Sequence, residues 1–208
     1  MLEDRILVLV DLLGTFAFAV SGSLAAEQKR LDLFGVFAMS YVTACGGGIV
    51  RDLCIGALPP AGISDWRYLA VAGVASVMTF GSRALVERLK HPVILFDAIG
   101  LGFFAVAGAN KALLLGHGVE VAVLAGTVTA VGGGVARDVL LNRVPVILQK
   151  EIYAVAAMAG AAVQVLGQRL GWRVAVTPWF AASVCVGIRL LALRNSWRLP
   201  VVGKPGAA

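Results

Sequence analysis

The sequence predicts an all-α polytopic membrane protein with seven transmembrane helices, two inverted three-helix repeats and a seventh helix. Three observations predict it. Apolar residues fill 59% of the 208 positions and charged residues only 14%, where a soluble domain carries roughly 25% charged residues. Mean hydropathy is +0.88, because apolar runs long enough to cross a bilayer recur along the chain. The motif Gly-Gly-Gly-x-x-Arg-Asp also occurs twice, at 46–52 and 132–138.

The runs place the helices in order. The first is expected at 5–26, closed by the polar stretch Glu27 to Asp32. The second covers 33–58 and stops at Pro59-Pro60, since proline cannot continue a helix. The third covers 66–86, ahead of the loop Glu87 to His91. The fourth covers 92–113 and ends at Gly116-His117-Gly118. The fifth runs 119–144 to Pro145, the sixth 150–168 and the seventh 175–194. The polar tail 195–208, with Pro200 and Pro205, is expected to be poorly ordered. Short loops leave no room for a soluble domain. The chain is one transmembrane domain: repeat one about 5–86, repeat two about 92–168, the extra helix 175–194 and the tail.

Charge sets orientation. The net charge is +6, but the basic residues lie in short clusters between apolar runs, which points to membrane topology rather than nucleic acid. One side carries Arg5, Arg67, Arg169 and Arg173. The other carries Lys29, Arg30, Arg83, Arg88, Lys90, Arg143, Lys150, Arg194, Arg198 and Lys204. The richer side is expected to be cytoplasmic, with the N-terminus outside and the C-terminus inside. The start MLEDRILVLV lacks a basic signal-peptide region, so the first run is expected to be retained. Cys45, Cys54 and Cys185 fall in apolar runs without metal-ligand spacing and read as buried thiols.

Adding 86 to a residue number maps one half on the other. Asp11 maps to Asp97, Gly14 to Gly100, Phe18 to Phe104, Gly22 to Gly108 and Thr43 to Thr129. Gly46-Gly47-Gly48 maps to Gly132-Gly133-Gly134, Arg51-Asp52 to Arg137-Asp138 and Pro59 to Pro145. An odd number of spans separates equivalent positions, so the halves insert in opposite senses, as in many proteins that move solutes.

Three consecutive glycines at mid-helix predict a kink or break, because each weakens a helix by roughly 1 kcal/mol relative to alanine. Backbone groups released there need protein or water as partners. The simpler alternative is close helix packing, although packing motifs usually space glycines by four. Arg51, Asp52, Arg137 and Asp138 lie at membrane depth, where charges face a bundle interior or a wet cavity. Asp11 is about 9 Å inside its helix and Arg51 about 10 Å inside the second, at 1.5 Å per residue. The matching depths predict pairing of Asp11 with Arg51 and of Asp97 with Arg137. Asp52 and Asp138 then remain to face a pathway. The alternative is that all six charges pair to fix the fold. Lys111 has only Ala25 as counterpart. It reads as a lysine reaching for the outer interface, or as a charge that senses voltage. Ser40, Thr43, Thr127 and Thr129 offer hydroxyls. His91 and His117 fall in loops, and Glu120 and Glu151 at helix N-termini. No nucleophile with its base, phosphate loop or metal cluster is recognisable, so an enzyme is not expected and no cofactor is implied.

The doubled motif, GGGIVRDLCIG and GGGVARDVLL, resembles the trimeric intracellular cation (TRIC) channel family in its bacterial form, over about residues 5–194. The resemblance implies a seven-helix subunit, a homotrimer in membrane lipid and one potassium-permeable pore per subunit. It also implies pore-lining helices two and five that bend at Gly46, Gly47, Gly48, Gly132, Gly133 and Gly134. Arg51, Asp52, Arg137 and Asp138 then sit beside the pathway, and Lys111 is the one clear basic residue of the fourth helix, where animal relatives place gating. The expected function is a monovalent cation channel of the bacterial cytoplasmic membrane. The alternatives are a secondary transporter of a small neutral solute such as glycine, and a membrane scaffold whose glycines serve trimer packing.

Overall fold

The computed structural model describes residues 2–81, 92–149, 152–195 and 197, with the side chains of 2–4 excepted. Among these residues the chain forms α1 (Leu2–Gln28), α2 (Leu33–Cys54), α3 (Ala61–Ser64), α4 (Trp66–Gly81), α5 (Pro92–Leu114), α6 (Val119–Leu140), α7 (Val146–Gln149), α8 (Ile152–Arg169) and α9 (Thr177–Arg194). Five of them are long and apolar enough to cross a membrane: α1, α2, α5, α6 and α9. The expected spans at 66–86 and 150–168 correspond to α4 and α8. Residues 82–91, 150–151 and the tail beyond 197, including Arg83, Arg88, Lys90, His91, Lys150, Glu151, Arg198 and Lys204, lie outside the described residues.

Local chemistry sets the helix ends. The Asp32 carboxylate accepts the Gly35 amide at 2.7 Å and caps α2. Both glycine-motif helices end four residues before the expected ends at 58 and 144, α2 at Cys54 and α6 at Leu140. The reason lies two residues beyond each end: Gly56 (φ +72°) and Asn142 (φ +52°) adopt the left-handed conformation. Each closes a helix in the usual C-terminal turn, where a carbonyl three residues inside the cap accepts an amide from beyond it. The bonds are Ala57 N to Asp52 O and Arg143 N to Asp138 O, both 2.8 Å. The chain then turns back through α3 or α7, short helices that carry no apolar period for a sequence reading to find.

The centre is built from α1, α2, α5 and α6, which pack on one another, with α4 against α1 and α2, and α8 and α9 against α5. Alanine dominates the buried positions, so the backbones approach closely and the packing gain replaces side-chain bulk. Large apolar side chains such as Val74, Val77, Met78, Leu166 and Phe180 face outward, as a lipid-facing surface requires.

Contacts across the centre are reciprocal under the 86-residue offset. The space beside Gly14 is filled by the Phe104 ring, and that beside Gly100 by the Phe18 ring. The two rings meet edge to face at 5.2 Å. Gly22 lies against Met39 and Thr43, and Gly108 against Ala125 and Thr129. A methyl group on Gly47 would overlap the Thr129 carbonyl, and one on Gly133 would overlap the Thr43 carbonyl. Thus α2 and α6 cross backbone to backbone at the middle glycines. Both helices continue unbroken through their glycine triplets. Of the expected kink or break, no break occurs, because the opposite backbone fills the room that the missing side chains leave.

Candidate functional site

Each glycine-motif helix carries its Arg-Asp pair in its last turn, where the chain reverses. In the second half, Arg137 is buried and holds three partners. Its Nη1 donates to Asp97 Oδ1 and to Ser21 Oγ, both at 2.7 Å, and its Nε donates to Asp138 Oδ1 at 2.9 Å. Asp138 Oδ2 accepts the amide of Val146, the first residue of α7, at 3.1 Å. The depth-matched pair Asp97–Arg137 is therefore present.

The first half repeats half of this pattern. Arg51 Nε donates to Asp52 Oδ1 at 2.9 Å, and Asp52 Oδ2 accepts the amide of Ala61, the first residue of α3, at 2.9 Å. Asp11, however, makes no ion pair with Arg51 among the described residues. Its Oδ2 accepts the hydroxyl of Tyr68 on α4 instead. Arg51 and Arg137 both lie three residues from their helix ends, so depth does not separate the halves; Tyr68 from α4 occupies Asp11, and Asp52 holds Arg51. Lys111 takes the remaining place: its Nζ lies 2.8 Å from Asp52 Oδ2. It is not simply reaching toward the interface; it is tied to a fully buried carboxylate.

Asp52 and Asp138 are accordingly not the unengaged acids of the sequence reading. Each is clamped by the preceding arginine and by a short-helix amide. The elements position two cavities. One, of about 190 Å³, is lined by Asp11, Arg51, Arg67, Tyr68, Asn110 and Lys111, among others. The other, of about 600 Å³, is lined by Asp97, Arg137, Asp138, Arg143, Gln149 and Arg189, among others. Ser21, which touches Arg137, lies ten residues beyond Asp11 along α1, so the two charge clusters are about 15 Å apart along that helix. The Phe18–Phe104 and Gly47–Gly133 contacts lie between them. At the rim of the smaller cavity, Arg67 donates to Asp65 with its side chain and its amide, which holds that carboxyl below the usual carboxylate range.

The remaining sequence candidates have structural partners. Ser40 Oγ donates to the carbonyls of Ala19 and Ala72, and Thr43, Thr127 and Thr129 hydroxyls bond carbonyls one turn back in their own helices. His117 Nε2 lies 3.1 Å from the Ile55 carbonyl. Glu120 stands in the first turn of α6. Cys45 and Cys185 are buried, but Cys54 is exposed. No group of three metal-ligating side chains occurs among the described residues.

Sequence reasoning missed Tyr68, Tyr153 and Arg189. The tyrosines stand near the starts of α4 and α8, 85 positions apart, one short of the repeat offset. Tyr68 bonds Asp11, and Tyr153 is buried next to Asp97 and Gly134. Arg189 is buried in α9 with its guanidinium 4.8 Å from the Tyr153 ring centre. Its signal was a single arginine inside the apolar run of the last helix.

The family model described as Glycine transporter matches residues 8–84 and again 94–169, and the two matches begin 86 residues apart (94 − 8). The UPF0126 inner membrane protein YadS of Escherichia coli (strain K12) is 38% identical, over 92% of this chain and 93% of its own length. A solved TRIC cation channel, studied for its conductance, is 37% identical with a TM-score of 0.84, over 96% of this chain and 98% of that one. The TRIC trimeric intracellular cation channel orthologue from Rhodobacter sphaeroides is 33% identical with a TM-score of 0.85, over 92% and 99%. The chain belongs to the bacterial TRIC channel family, whose curated relatives are UPF0126 membrane proteins.

Proposed function

We propose that this protein is a potassium-permeable cation channel of the bacterial cytoplasmic membrane, a homotrimer with one pore in each subunit. Its spans are α1, α2, α4, α5, α6, α8 and α9, in two inverted repeats and an extra helix. The N-terminus is outside and the C-terminus cytoplasmic, so the Asp11 cavity opens outward and the Asp97 cavity inward. The observation that carries the reading is the pair of cavities, of about 190 and 600 Å³, each walled by a buried arginine and at least one aspartate, on either side of one glycine crossing. Charged groups at that depth are costly unless they face a bundle interior or water.

The pathway runs beside α2 and α6 between the cavities. It is shut at the waist, where the Gly47 and Gly133 backbones touch and the Phe18 and Phe104 rings meet. Opening requires a shift of α2 against α6 at that crossing, and the glycines permit it because no side chains interlock there. Asp11, Asp97 and Asp138 line the cavities among basic groups and supply the carboxylate oxygens that a passing cation meets. Asp52 acts one step back: Lys111 neutralises it in the closed form, and the lysine is the natural element to move on gating. The description Glycine transporter also fits the repeat, but two half-sites without a continuous solute pocket support it less. Potassium flux into proteoliposomes under a potassium chloride gradient tests the reading. Cation-selective flux supports it. Saturable glycine uptake without potassium flux favours the transporter.

A further inference from the structure

The two cavities differ in how their cations are matched. In the Asp11 cavity each cation has a carboxylate: Arg51 and Lys111 share Asp52, and Arg67 pairs with Asp65 at 2.5 Å. In the Asp97 cavity, both carboxylates are taken by Arg137. Arg189 and Arg143 line the same cavity, and among the described residues neither has a carboxylate partner. Arg143 reaches only the neutral Gln28, Nη2 to Oε1 at 3.5 Å. Arg189 is 3% exposed, and its Nε has no hydrogen-bond acceptor. The Tyr153 ring covers one face of the guanidinium, which stabilises the cation but gives the in-plane Nε–H no acceptor. A buried charge with an unmet donor is costly, and here it borders a cavity of about 600 Å³.

We propose that the Asp97 cavity holds an oxyanion, a carboxylate or phosphate group, bound by Arg189 with Arg143 at its rim. A guanidinium presents parallel N–H donors that match two oxygens of such a group. The cavity has room for it, and among the described residues its lining carries three arginines against two aspartates, a surplus of one positive charge that a single anionic charge balances. Because α9 lies outside the repeat, the Asp11 cavity has no such site. The binding site stands apart from the pathway reading, since it is detected without ion flux.

The test uses the full-length protein in a non-ionic detergent, titrated with sodium phosphate or with sodium acetate at constant ionic strength made up by sodium chloride. Thermal unfolding is the readout. A saturable rise in Tm with either anion is expected. Arg189→Gln removes a charge that has no carboxylate partner, so it folds; its affinity falls at least about tenfold, as when a buried charge pair loses one partner. Arg143→Gln weakens binding less, and together with the wild-type titration it keeps the test decisive should Arg189→Gln fail to assemble. Vesicles of phosphatidylcholine, with and without phosphatidylglycerol, distinguish the source. Stabilisation by phosphatidylglycerol alone, lost in the variants, assigns the oxyanion to a lipid headgroup, and a response to dissolved phosphate or acetate assigns it to a soluble anion. No saturable response in either arm, or equal responses in wild type and variants, overturns the site.

Discussion

Gly47 lies so close to the carbonyl oxygen of Thr129 that no Cβ fits between them. The reciprocal relation holds between Gly133 and Thr43. The neighbouring positions of the first motif differ: a Cβ on Gly46 would meet only the Ala136 methyl at 3.6 Å, and one on Gly48 only Arg51 Nη2 at 3.7 Å. Gly46→Ala and Gly48→Ala should therefore raise stability by up to about 1 kcal/mol each through helix propensity. Gly47→Ala and Gly133→Ala should lower it by about 1–3 kcal/mol, because the clash is with backbone and the helices must part. Thermal denaturation of the assembled protein in detergent reads the order. Equal effects at all four positions would mean that the crossing is not as tight as described.

The two arginines should not be equivalent. Arg137→Gln strands Asp97 and Asp138 together, and losing a partner of a buried ion pair costs roughly 3–5 kcal/mol. Arg51→Gln leaves Asp52 with Lys111 and the Ala61 amide, so its cost should be clearly smaller. Unfolding of the two variants under one condition decides it, and a larger loss for Arg51→Gln would contradict the assigned partners.

Phe18 and Phe104 pack edge to face, and each fills the space beside the other half's glycine. Each substitution to alanine should cost about 3–5 kcal/mol. A double-mutant cycle should show coupling of about 0.5–1.5 kcal/mol, the worth of an aromatic pair beyond its burial. Additive losses would mean that the rings do not act as one plug.

Lys111→Ala exposes the Asp52 carboxylate to the Asp11 cavity, which gains one negative charge. Potassium flux through reconstituted protein should rise, and Lys111→Ala with Asp52→Asn should bring it back toward the original level. Lys111→Arg should stay near wild type. Unchanged flux in Lys111→Ala would remove this ion pair from the gating account.

The centre of the fold was legible in the sequence because the 86-residue offset fixes which residues face which. Asp97–Arg137 followed from depth alone. Asp11–Arg51 did not, because Tyr68 on α4 takes the Asp11 carboxylate while Arg51 turns to Asp52 beside Lys111; Gly56 and Asn142 end both helices four residues earlier than the prolines suggest, and so do not separate the halves. The left-handed positions were themselves visible as a glycine and an asparagine at the repeat offset. The role of the glycines was the harder inference: propensity argues for a break, and tertiary contact overrides it when a second backbone occupies the space. Tyr68 and Arg189 were passed over because neither takes part in the repeated motif. Their importance arises from α4 and α9 being folded against it.

The most direct test of the account is single-channel recording in a planar bilayer under a potassium chloride gradient, on wild type and on Asp97→Asn. Unitary current steps are predicted, with a reversal potential near that of potassium, and Asp97→Asn should move it toward the chloride value because a fixed negative charge leaves the inner cavity. An absence of steps with saturable glycine uptake by the same preparation, or an identical reversal potential in the variant, would contradict a cation pathway through the two cavities.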